Sequence, residues 1–105
     1  MANPMRGEVE VVIDGRPRTL RLTLGALAAL EAELEAEGLV DLAERLERDG
    51  VRARDVIAVL TAGFRGAGHD VTRDEVAALA FEGGATGAAR AAMQLLGVAF
   101  TGGRG

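Results

Sequence analysis

Glu8-Val9-Glu10-Val11-Val12-Ile13-Asp14-Gly15 decides how the fold begins, because its apolar residues recur at every second position. Val9, Val11 and Ile13 therefore share one face, which predicts a half-buried strand. Asp14-Gly15 is a turn signal. Beyond it Leu20, Leu22 and Leu24 alternate with Thr19, Arg21 and Thr23, predicting a second strand. A strict two-residue turn would set Val11 opposite Arg18 and waste the apolar face. A loop of four residues, Asp14 to Pro17, sets Val11 opposite Leu20 and Val9 opposite Leu22. That register is expected, since pairing follows the buried face and Pro17 suits a loop better than a paired strand.

Past Thr23 the period becomes helical. Thr23 can cap a helix whose stripe is Leu27, Leu30 and Leu34, with Gly38 as its stop. Leu39, Leu42 and Leu46 predict a short second helix ending at Asp49-Gly50. A third, from about Ala53 to Arg65, carries Val56, Ile57, Val59, Leu60 and Phe64 on a wide apolar face and is the candidate for the central helix. Thr72-Arg73-Asp74-Glu75 is a capping box for a fourth helix running through Phe81, which Gly83-Gly84 ends. A fifth, from about Thr86, places Ala89, Met93, Leu96 and Phe100 on one stripe. The fold class expected is α+β: an N-terminal β-hairpin packed on a mainly α-helical domain of about five short helices. The 105 residues make one domain, 1–105, with 1–6 and 102–105 frayed.

The composition excludes more than it suggests. There is no Cys, Ser, Lys, Tyr or Trp, and His69 is the single histidine. Disulfides, thiolate or serine nucleophiles, Schiff-base lysines and multi-histidine metal sites are therefore ruled out within one chain. Twelve arginines oppose 16 acidic residues for a net charge of −4, a poor match to a phosphate backbone. No stretch approaches a membrane span, and the first residues lack the layout of a signal peptide. The expectations are no enzyme activity, no cofactor, no metal, no nucleic acid and no membrane, with a cytoplasmic location.

The remaining clusters have plain structural readings. Glu31, Glu33, Glu35 and Glu37 suggest a cation site, yet on a helix only Glu31–Glu35 and Glu33–Glu37 are neighbours, so a solvated face is expected. His69-Asp70 suggests an acid–base pair, but there is no Ser or Cys to activate. Gly63-Phe64-Arg65-Gly66-Ala67-Gly68 follows a helix rather than a strand, which argues for helix termination over a phosphate cradle. Arg16, Arg18 and Arg21 face Glu8 and Glu10 across the hairpin, so ion pairs explain them as well as a basic docking patch does. The Leu and Ala stripes can form core or hold a partner's apolar segment.

Arg21-Leu22-Thr23-Leu24-Gly25-Ala26-Leu27-Ala28-Ala29-Leu30-Glu31, entered from the Asp14-Gly15 hairpin, resembles the small tail protein of gene transfer agents and related siphophages. The similarity continues through Val51-Arg52-Ala53-Arg54-Asp55-Val56, Leu60-Thr61-Ala62-Gly63-Phe64-Arg65 and Val71-Thr72-Arg73-Asp74-Glu75-Val76, covering about Gly7 to Thr101. The resemblance implies non-enzymatic work in building a phage-like tail. Such proteins are described both as tail tube proteins and as tail assembly chaperones that coat the tape measure protein before tube subunits polymerise round it. Its partners would be a tape measure-like protein and other tail proteins, and it could be incorporated in the particle. A chaperone is expected over a structural tube subunit, because a tube built through sheets shared between subunits needs more β-structure than one hairpin. A small regulatory or antitoxin-like protein is the further alternative. The partner-binding candidates are the face of Leu27, Leu30 and Leu34 and the face of Ala89, Met93 and Leu96.

Overall fold

The computed structural model describes residues 7–35, 37–49 and 52–101. The expected frayed segments, 1–6 and 102–105, lie outside the described residues, as do Gly50 and Val51. Strands β1 (Glu8–Ile13) and β2 (Arg16–Arg21) form an antiparallel hairpin. Five helices follow among the described residues: α1 (Leu24–Glu33), α2 (Leu39–Asp49), α3 (Ala53–Gly66), α4 (Arg73–Ala77) and α5 (Gly84–Thr101). The expected α+β architecture is the observed one.

The hairpin register corrects the expectation. Val9 lies opposite Leu20, Val11 opposite Arg18 and Val12 opposite Pro17, so the connection is the two-residue turn. Asp14 (φ 54°) and Gly15 (φ 75°) both adopt the left-handed region, the geometry that matches the twist of a tight hairpin. The apolar face is not wasted, because α3 and α5 pack on the hairpin and residues 80–82 extend the sheet beside Ile13. Phe81 bridges to Ile13. The Glu82 N–H donates to the Val12 carbonyl at 2.9 Å and the Asp14 N–H to the Ala80 carbonyl at 3.0 Å. β1 thus has β2 on one side and residues 80–82 on the other, while α5 packs on the hairpin as well. Arg16 and Arg18, opposite Ile13 and Val11, stay exposed beyond this cover.

Pro17 sits within β2 rather than in a loop. Counting from the closing pair Ile13–Arg16, Pro17 and Thr19 turn their backbone groups to the outer edge of β2, where a missing N–H leaves no ladder bond unmade.

α1 starts where expected: the Thr23 hydroxyl accepts the Ala26 N–H at 3.0 Å. Leu24, expected on the second strand, is instead the first residue of this helix and is exposed. The helix ends before Gly38, because Glu35 (φ 55°) turns left-handed just after the Leu34 cap. α2 has the expected bounds, but the side chains of its Leu39, Leu42 and Leu46 stripe lie outside the described residues.

α3 is the central helix as expected, packing against β2, α1, α4 and α5. α4 carries the expected capping box, with Glu75 N–H to Thr72 hydroxyl at 3.1 Å and Thr72 N–H to Glu75 carboxylate at 2.8 Å. It stops at Ala77 instead of reaching Phe81, since residues 80–82 must extend to pair with β1. α5 begins at Gly84, and its buried stripe is Ala88, Ala91, Ala92, Leu95 and Leu96. That stripe is rotated from the one expected: Met93 is exposed, and the Phe100 side chain lies outside the described residues. The core centres on Leu20, Val59, Leu60, Val76 and Leu95.

Candidate binding groove

Among the described residues three faces of α3 meet three different surroundings, and one of these is an open apolar groove. The first closes on the hairpin and α5 through glycine. A Cβ on Gly63 would lie 2.8 Å from Leu95 Cδ1 and 3.3 Å from Leu20 Cβ. On Gly66 it would fall 1.9 Å from the Arg21 carbonyl oxygen. Gly63 and Gly66 are therefore packing residues that let α3 approach the sheet closely, whereas Gly68 (φ 96°) turns the chain just past the helix end, as expected of a terminator.

The second face holds α1 across a small cleft of about 90 Å³, lined by Leu30, Glu33, Thr61, Arg65 and Arg73 among others. Glu33 pairs with Arg73, and the Arg65 Nε–H donates to the Val71 carbonyl at 3.0 Å. The buried Thr61 hydroxyl donates back to the Ile57 carbonyl at 2.6 Å, a local bond that satisfies it within the helix. The cleft is thus occupied by its own charges.

The third face is apolar and open. Val56 and Leu60 of α3, Val76 of α4 and Ala88 of α5 form the buried floor of a groove of about 430 Å³. Ile57, Leu79 and Phe81 are half-buried walls, and the rim is small: Ala53, Ala77, Ala80, Gly84 and Ala85. No charged side chain lines it. Such a concave apolar surface is the usual form of a binding site in a small domain.

The two anticipated partner-binding faces are distributed differently. Leu27, Leu30 and Leu96 are 5%, 2% and 2% exposed and belong to the core. Leu34 and Ala89 are half-buried against it, and Met93 alone of the six is exposed. The open apolar surface is instead made by residues that pattern reading assigned to the third, fourth and fifth helices without joining them. One signal pointed there: a large apolar residue, Phe81, directly before the Glu82-Gly83-Gly84 break, where a helix end needs none.

The other sequence clusters do not converge. The α1 helix ends at Glu33, so Glu35 and Glu37 leave its surface, and Glu33 is engaged by Arg73. Among the described residues no group of three or more His, Asp or Glu could hold a metal ion. His69 stands at the exposed end of α3, its backbone N–H bonded to the Phe64 carbonyl and its ring edge-on to Phe64 at 6.0 Å. Arg21 faces Glu8 across the hairpin, whereas Glu10 faces Thr19. Among the described residues no helix is long and apolar enough to cross a membrane.

A family model described as phage tail tube protein, GTA-gp10, matches residues 6–102. The chain belongs to that family. Neither a curated protein nor a solved structure matches it. The GTA-gp10 family is one of phage and gene transfer agent tail proteins, so the fold and groove described above are those of a tail tube-related protein.

Proposed function

We propose that this GTA-gp10 family member is a non-enzymatic tail assembly chaperone, which holds an apolar segment of the tape measure protein in the α3–α4–α5 groove until tube subunits replace it. The observation that carries this reading is the contrast between short, partly occupied sheet edges and an open apolar groove. A tube subunit that joins its neighbours through shared sheets needs a free strand edge. Here residues 80–82 occupy the β1 edge at its Val12–Asp14 end, which leaves only a short run of that edge for a neighbour. The β2 edge is blunted by Pro17 and closes at Arg21, whose carbonyl lies against Gly66.

A tape measure exposes apolar stripes until a tube encloses it, and such stripes aggregate. A small partner with net charge −4 that covers one stripe keeps the complex soluble. Displacement by tube subunits requires modest affinity, micromolar or about −8 kcal/mol. The test is co-expression with the cognate tape measure, followed by pull-down and analysis of purified tails. The chaperone reading requires rescued solubility, capture of the tape measure, and absence of this chain from finished tails.

The second reading, a structural tube subunit, is favoured by the family's own description. It requires stoichiometric presence in purified tails, an outcome that would overturn the chaperone. The regulatory or antitoxin-like alternative has no observation in its favour.

A further inference from the structure

The walls of the α3–α4–α5 groove limit what shape of ligand they can accept. Its walls are helices, whose backbone is bonded internally beyond the first turn, and residues 79–82, where several of the backbone groups are already engaged. The Ala80 carbonyl accepts from Asp14, the Phe81 carbonyl accepts from Gly84, and the Glu82 N–H donates to Val12. An extended peptide laid in the groove would find no ladder to join. Its buried N–H and C=O groups would go unpaired, which is costly in an apolar site. A ligand must therefore bring its own backbone bonds, as an α-helix does. The small rim residues Ala53, Ala77 and Ala85 permit the close backbone approach that helix packing needs.

Charge is not evenly placed round this groove. Arg52 and Arg54 are exposed and flank Ala53, the rim residue at the start of α3. Arg54 reaches Asp55 only at 4.0 Å, with its side chain 75% exposed. The lining itself carries no charge, and the exposed Glu82, beside Phe81, marks a different part of the rim, so the basic pair is local to the start of α3.

We propose that the groove seats one amphipathic α-helix of a partner protein, carrying acidic residues at the end that lies over Arg52 and Arg54. This inference rests on the chaperone reading for the identity of that partner, but its chemistry is tested separately. The probe is a fluorescein-labelled synthetic amphipathic helix of about 15–20 residues with a Leu stripe, titrated with the full chain and followed by anisotropy. Three versions are compared: Glu-ended, Lys-ended, and Glu-ended with a central proline.

The Glu-ended helix is expected to bind with micromolar affinity. The Lys-ended one should bind about threefold or more weakly, as an exposed charge contact allows. The proline version should lose about tenfold or more, because proline breaks a helix interior. Ala85→Glu places a carboxylate on the rim at the start of α5, where it does not disturb the helix; it should weaken binding of the Glu-ended probe by about tenfold. R52E combined with R54E should reverse the preference between Glu and Lys ends.

Equal binding of the proline version, or binding untouched by Ala85→Glu, overturns the inference. Self-association of the protein alone that Ala85→Glu abolishes assigns the groove to a second copy and overturns it too. Capture of the tape measure by the wild type and the Ala85→Glu variant alike sinks the groove while leaving the chaperone standing. Probe binding as expected without tape measure capture does the reverse.

Discussion

The two sides of α3 make an instructive pair. Toward the hairpin and α5 it presents Gly63 and Gly66, and the neighbours come so close that no Cβ fits. Toward α4 and the start of α5 it presents Val56, Ile57 and Leu60, and the neighbours stand back around about 430 Å³ of open space. Small residues on one side close the fold, while large residues on the other side leave it open. Composition alone does not say which face is sealed; the distance to the next element does. A helix that seals with glycine on one side and lines an open groove with Val56, Ile57 and Leu60 on the other holds apolar surface available without loss of its own anchorage.

The largest effect expected is at the floor shared by both sides. Leu60→Ala should lower stability by about 2–5 kcal/mol in urea unfolding, as buried leucine truncations do. A loss below about 0.5 kcal/mol would place Leu60 on a surface, and the two-sided description would fail. Next comes the sealed side. Gly66→Ala drives a methyl into the Arg21 carbonyl and should be destabilising by about 1–3 kcal/mol; a neutral result would mean that α3 is not in close contact with the sheet.

Thr72→Ala removes the cap of α4, which holds one wall of the groove, and should be destabilising by about 1 kcal/mol. The open side should be least sensitive. Ala85→Glu is expected to stay within about 0.5 kcal/mol of the wild type in the same unfolding assay. A larger loss would show that the rim is part of the packed core. Independently, calorimetric titration with zinc, magnesium and calcium is expected to show nothing tighter than about millimolar, given the absent Cys and the single His.

Much of this fold is legible from residue patterns. Val9, Val11 and Ile13 are buried as their alternation predicts, and Thr23 and Thr72 cap the helices they precede. The failures share a cause. From the two strands alone, Arg18 is out of place opposite Val11, and a register that matches apolar residues to each other looks better than the observed one. The cover comes from α3 and α5, with Phe81 added beside Ile13, all far along the chain, and no local pattern announces such long-range packing. The fifth helix is so rich in alanine that several stripes satisfy the same period. Ala88, Ala91, Ala92 and Leu95 won over Ala89 and Met93 because tertiary contacts choose among them. The groove was illegible for a similar reason: its residues come from three helices and a bridge whose relative placement is a property of packing.

The bridge between Ile13 and Phe81 also sets an order in time. The hairpin can close as soon as its own residues leave the ribosome, since its contacts are local. Its third partner lies 81 − 13 = 68 positions later and arrives only after α3 and α4 have been made. Until then the valine-rich β1 edge stands open, a template for pairing with other nascent chains. Synthesis halted before Ala80 should therefore yield fragments that aggregate through β1, while chains extended past Glu82 should not. The final quarter of the chain thus guards its first strand.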